Sequence, residues 1–200
     1  LKVTNSLEAL QRLAERHRDE FDIPVVGITG SNGKTMVKEW LYQIMSPDVC
    51  VTRSPRSYNS QIGVPLSVWL LNEHTQLGIF EAGISQPGEM RALRGIIQPT
   101  IAVLTNLGAA HQENFESMQA KCKEKIQLFH DAQTVVYDAD DSVIAAEVEA
   151  SGYPGERLCW SLTDAHAPMY ISRIDKGDAH TLVTYSYQGG AEQHYQLPFI

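Results

Sequence analysis

The stretch Gly30-Ser31-Asn32-Gly33-Lys34-Thr35 carries the most chemistry in this 200-residue chain. It lies between an apolar run, Ile23 to Ile28, and a helical pattern of Val37, Trp40, Leu41 and Ile44. A glycine turn between strand and helix points backbone N–H groups at an anion, and the helix N-terminus adds its positive dipole. Lys34 then reaches terminal phosphates and Thr35 offers a hydroxyl to Mg²⁺, which is a P-loop in mechanism. Against the general G-x-x-x-x-G-K-[ST] pattern one position departs, Ile28 standing where glycine is usual. A P-loop metal needs an acidic partner on a neighbouring strand, and Leu77-Gly78-Ile79-Phe80-Glu81 is an apolar run that ends in a carboxylate. Glu81 is therefore the candidate metal partner, the alternative being a carboxylate that merely closes a strand at the surface. No Asn-Lys-x-Asp segment for guanine occurs, so the expected nucleotide is ATP.

A second group lies further along. The strand-like Ile101 to Thr105 runs into Asn106-Leu-Gly-Ala-Ala-His111, followed by a predicted helix from Ser117 to Phe129. On a helical wheel Met118, Cys122, Ile126 and Phe129 form one stripe; Lys125 falls inside it, Lys121 at its margin and Lys123 opposite. An inward ammonium is costly. Either Lys125 snorkels to water, or it meets a buried carboxylate, or it is chemically altered. His111 reads equally as a hydrogen-bonded loop histidine or a ligand.

The elements that must position these residues alternate along the chain. Strands are expected near 23–28, 49–52, 77–81, 101–105 and 134–137, and helices after Asn5, from 34, and over 65–71, 88–97, 117–129 and 141–150. Such alternation predicts an α/β fold, a P-loop-type parallel sheet flanked by helices. After Gly152 the texture changes to short β-rich runs, 158–162, 169–174, 181–187 and 194–200, with Gln188-Gly189-Gly190 as a hairpin turn. A small antiparallel subsheet is thus expected to be appended to the parallel core.

Composition narrows the function classes. Hydrophobic residues make up 43% and charged residues 20%, ordinary for a folded domain. Sixteen basic against 24 acidic side chains leave a formal charge of −8, which argues against a broad grip on nucleic acid. No apolar run is long enough for a membrane span. Cys50, Cys122 and Cys159 are scattered and odd in number, and no signal peptide opens the chain, so a cytoplasmic location is expected.

Taken in order, Thr29-Gly-Ser-Asn-Gly-Lys-Thr35, Tyr58-Asn59-Ser-Gln-Ile-Gly-Val-Pro65, Glu81-Ala-Gly83 with Pro87-Gly-Glu89, Thr105-Asn-Leu-Gly-Ala-Ala-His111 and a lysine fourteen residues later resemble the central domain of the Mur ligases. These are the ATP-dependent amide-forming enzymes of peptidoglycan synthesis. The family writes its loop G-x-T-G-[ST]-N-G-K-T, so Ile28 ceases to be a departure. Within the family the wording is most similar to the member that joins D-Ala-D-Ala to UDP-MurNAc-tripeptide, and in Ala-Ala-His-Gln-Glu-Asn-Phe to the version that some bacteria carry fused to an alanine racemase. The resemblance implies that residues Gly30, Ser31, Asn32, Gly33, Lys34 and Thr35 wrap the ATP phosphates. It also implies that Thr35 and Glu81 hold a first Mg²⁺, and that His111 and Lys125 serve a second. Lys125 would do so as a carbamate formed with CO₂, an anion for which the inward position is favourable. Asn59 and Asn106 match positions lining the phosphate and substrate region, with Lys34, Lys125, His111 and Asn59 as the catalytic set. Asp138-Ala-Asp-Asp141 resembles an Asn-x-Asp-Asp segment with Asp138 in place of Asn.

On the same resemblance, residues 1–22 are a linker and lead-in helix and 23–200 the ATP-binding domain. A UDP-sugar-binding domain is expected before it and an amino-substrate domain after it. The implied reaction passes through an acyl phosphate and releases ADP and phosphate. Two alternatives stay open on the residues: a different ligase of this architecture, including a folylpolyglutamate synthase, whose loop ends in Lys-Gly-Ser, and a nucleotide-binding module without turnover.

Overall fold

The structure is a computed structural model that describes residues 2–110 and 112–198. Nine strands form one sheet in the order β2-β3-β1-β4-β5-β6-β7-β8-β9. The first six, β1 (Val25–Thr29), β2 (Val51–Arg53), β3 (Leu77–Glu81), β4 (Ile101–Leu104), β5 (Thr134–Asp138) and β6 (Glu156–Ser161), are mutually parallel. β1 and β3 are buried at every residue, as expected of central parallel strands covered on both faces. Val26, Ile28, Leu77 and Ile79 pack one face against Val37 and Leu41 of α2 (Lys34–Met45); the larger core, including Phe80, Leu93 and Leu104, fills the other.

Local signals explain the helices on that second face. Asn5 caps α1 (Ser6–Arg18) by accepting from the backbone N–H of Leu7 and Glu8. α4 (Glu89–Ile97) buries Met90, Leu93, Ile96 and Ile97, a stripe at helical spacing. The buried Arg18 guanidinium donates to the carbonyls of Ile97 and Gln98, tying the end of α1 to the end of α4. α3 (Gly63–Val68), α5 (Met118–Ile126) and α6 (Ser142–Ala150) complete the cover, with α5 capped by Ser117 and extended by a 3-10 turn, Gln127–Phe129.

The late β-rich runs behave differently from one another. β6 belongs to the parallel core, and β7 (Met169–Lys176) still joins it in parallel. Only β8 (Thr181–Tyr187) and β9 (Gln193–Leu197) run antiparallel, each to its predecessor. The antiparallel part is therefore an edge-to-edge continuation of the same sheet. Gln188 and Gly189 both have positive φ, 49° and 70°, the primed turn that matches strand twist.

Candidate functional site

β1 is the switch point of the sheet: the chain leaves it to build β2 and β3 on one side and β4 to β6 on the other. In open α/β sheets a crevice forms there, at the C-terminal ends of the strands. The loop after β1 occupies it. Gly30 and Gly33 take φ of 143° and 79°, and a Cβ on Gly30 would collide with the Thr105 hydroxyl. Gly33 precedes α2 without any side-chain cap, which leaves the helix N-terminus to an anion. Lys34 Nζ folds back onto the Gly30 carbonyl at 2.8 Å, and burial pushes its pKa down against the pull of Glu81.

Because β3 pairs with β1 in register Ile28↔Glu81, the carboxylate arrives beside the loop. Glu81 is fully buried; its Oε2 accepts from Thr35 Oγ1 at 3.0 Å and from Asn59 Nδ2 at 3.3 Å. Gly83 lets Asn59 come this close, since a Cβ there would lie 2.8 Å from Asn59 Oδ1. The reading of Glu81 as a surface strand end is thereby excluded. Among the described residues no three His, Cys, Asp or Glu side chains cluster as a metal cage. One carboxylate with one hydroxyl suits Mg²⁺, which takes few protein ligands and fills its shell from phosphates and water.

β4 delivers the bracing residues. Asn106 spends its side chain on the loop: its Oδ1 accepts from the Asn32 N–H at 2.9 Å and its carbonyl from the Ser31 N–H at 3.0 Å. Thr105 Oγ1 donates to the Asn32 carbonyl at 2.6 Å, and Ser31 Oγ exchanges bonds with Gly108. Asn106 thus shapes the phosphate loop from behind. His111 lies outside the described residues.

Lys125 is 3% exposed and lines a cleft of about 440 Å³ together with Gly30, Ser31, Lys34 and Asn59. Among the described residues no carboxylate or carbonyl holds its amine. Burial, with Lys34 and Lys121 as like charges, pushes its pKa down to about 8. Lys121, placed at the helix margin by periodicity, is buried as well. It is accommodated because its ammonium donates to the carbonyls of Gly108 and Ala110. Asp138 and Asp140 sit at the end of β5, where Asp140 is spent on Ser161, Thr163 and the Leu162 N–H.

Sequence reasoning missed Lys38. It is fully buried on α2 with Nζ 3.0 Å from Glu81 Oε1. Its position four residues after Lys34 and three after Thr35 was the available signal, since such neighbours share a helix face.

Comparison with known proteins gives the same arrangement a family. The Mur ligase middle domain model matches residues 28–199. UDP-N-acetylmuramoyl-tripeptide--D-alanyl-D-alanine ligase of Treponema pallidum is 33% identical over an alignment of 184 positions that covers 80% of this chain and 40% of that protein. The crystal structure of MurF ligase from Thermotoga maritima in complex with ADP superposes with a TM-score of 0.87 at 26% identity, over 98% of this chain and 45% of that one. MurF from Acinetobacter baumannii, 24% identical, shares the fold with a TM-score of 0.89 over all of this chain and 44% of its own. The chain thus spans less than half the length of these relatives, and over that span it belongs to the Mur ligase middle domain family.

Proposed function

We propose that this chain is the ATP-binding core of a ligase that joins D-Ala-D-Ala to UDP-MurNAc-tripeptide in peptidoglycan precursor synthesis. The observation that carries the reading is the convergence of Lys34, Asn59 and the depressed-pKa Lys125 on one cleft, with the Thr35–Glu81 pair bonded to it through Asn59. The names of the relatives support this choice of substrates, and the geometry supports this cleft as the place of phosphoryl transfer.

In that reading the residues act as follows. The loop and the uncapped start of α2 grip the phosphates, and Lys34 leaves the Gly30 carbonyl to meet the terminal one. Lys34 neutralises charge between γ-phosphate and the incoming carboxylate, two anions that otherwise repel. Thr35 and Glu81 would hold a first Mg²⁺, whose chemistry is to polarise phosphoryl oxygens and keep them in line. As an ammonium Lys125 does not fit a second metal; as a carbamate, formed by attack of the neutral amine on CO₂ with loss of one proton, it does. His111 is proposed as its companion. The amine of D-Ala-D-Ala then displaces phosphate from the acyl phosphate without a covalent enzyme intermediate. Flanking domains that present the two substrates, and a fused racemase, belong to this proposal through the resemblance.

The test is Lys34→Ala in the full-length ligase. Formation of acyl phosphate, followed by release of ³²P-phosphate from γ-labelled ATP with tripeptide substrate, is expected to fall by at least about 10³-fold, the scale of a charge-stabilising group in phosphoryl transfer. Undiminished turnover would refute the assignment, and tight ATP binding without any turnover in the wild type would favour a non-catalytic module.

A further inference from the structure

Lys38 has no exposed side-chain surface, yet it carries a charge next to the carboxylate that the proposed function gives to the metal. Its Nζ lies 3.0 Å from Glu81 Oε1 and 3.2 Å from Glu39 Oε1, and donates to the Arg56 carbonyl. Glu39 is held in turn by Arg53 at 3.1 Å, whose guanidinium rests 3.4 Å above the Tyr42 ring. This chain of charges joins α2, β2 and β3. It leaves the two oxygens of Glu81 unequal. Oε2 takes the Thr35 hydroxyl and the Asn59 amide; Oε1 is buried, has no hydrogen-bond partner of good geometry among the described residues, and faces the Lys38 ammonium.

We infer that Lys38 is a positioning residue that reserves Oε1 of Glu81, limits the carboxylate to coordination through one oxygen, and so makes the site select Mg²⁺ over Ca²⁺. The inference rests on the ATP and Mg²⁺ reading above. A fixed positive charge against Oε1 repels any second cation approaching that oxygen. A two-oxygen bite is what Ca²⁺ favours, with its six to eight ligands at about 2.3–2.6 Å; Mg²⁺ keeps octahedral geometry at about 2.0–2.1 Å and is content with one oxygen. The Arg53–Glu39 pair keeps Lys38 from swinging away, because both of its carboxylate partners are themselves anchored.

The experiment is calorimetric binding of ADP to the full-length protein with Mg²⁺ or Ca²⁺, in wild type and in Lys38→Met. The wild type is expected to bind Mg–ADP more tightly than Ca–ADP. In Lys38→Met that ratio should fall about tenfold, within the range for a partner one layer behind a metal ligand. Metal-free ADP affinity should not change. An unaltered ratio in a folded variant overturns the inference. Removing one partner of a buried ion pair can also prevent folding, so the second measurement uses wild type alone: crystal structures with Mg–ADP and with Ca–ADP. Glu81 coordinating through Oε2 with the Lys38–Oε1 contact retained supports the inference; a two-oxygen Glu81 overturns it. A wild type whose ADP affinity does not respond to either metal overturns the ATP–Mg²⁺ reading itself, an outcome distinct from an unchanged ratio.

Discussion

Lys125 illustrates how environment decides what a side chain can do. A lysine at its ordinary pKa of 10.5 is almost wholly protonated near neutrality, and an ammonium does not attack CO₂. Here burial and the charges of Lys34 and Lys121 bring it to about 8. At pH 7.5 roughly a quarter of such amines are neutral, against about one in a thousand at the ordinary value. The sign for stability follows. The unfolded chain holds the proton more tightly, so the cost of burying this ammonium is complete below pH 8 and is relieved as pH rises from about 8 towards 10.5. For the modification, ¹³C NMR with labelled bicarbonate should reveal a carbamate resonance that strengthens between pH 7 and 9 and is absent from Lys125→Ala. In the full-length ligase the same variant should lose activity and regain part of it with added short carboxylates. No resonance in the wild type at pH 9, or no rescue, would remove the carbamate from the mechanism.

The elements show which part of this site could be seen in the chain and which could not. Strand β3 and its terminal Glu81 were readable because four apolar residues followed by a carboxylate have few alternatives. The loop was readable because Gly30 and Gly33 need positive φ and Lys34-Thr35 follows at once. What periodicity could not supply was partnership across elements. Lys121 looked marginal on the wheel of α5, yet the carbonyls that accept its proton come from the loop after β4, thirteen and eleven residues away. β6 looked like the antiparallel β8 and β9 because partly exposed strands of either sense share one composition; its place between β5 and β7 is set by packing. Lys121 is thus a staple between α5 and the loop that braces Ser31. Lys121→Met should cost about 1.5–3 kcal/mol, the range for hydrogen bonds involving a charged group. Hydrogen exchange should quicken over residues 105–110 and ADP affinity should fall. Unchanged exchange there would make Lys121 a space-filling residue only.

At the scale of the molecule, the sheet divides its labour by strand order. β3, β1 and β4 converge at the switch point and carry Glu81, the phosphate loop and its braces, while β7 to β9 extend the sheet at the far edge. The residues that the proposed function assigns to a nucleotide's phosphates therefore come from adjacent parallel strands and the helices packed on them. The net charge of −8 does not oppose this, because the positive field is local: a helix start and Lys34 facing one cleft. The relatives matched are more than twice as long. The 200-residue chain by itself is accordingly expected to bind Mg–ADP in calorimetry, with an affinity that Thr35→Ala weakens by about tenfold. It should form no product from D-Ala-D-Ala and UDP-MurNAc-tripeptide. The physical reason is entropic: amide formation needs the acyl phosphate and the amine held within about 3–3.5 Å, and a cleft that orders only one of them supplies the charge stabilisation without the proximity. Ligation by the 200 residues alone would mean that this cleft positions the amine as well, and would move the specificity of the reaction into the residues around Asn59.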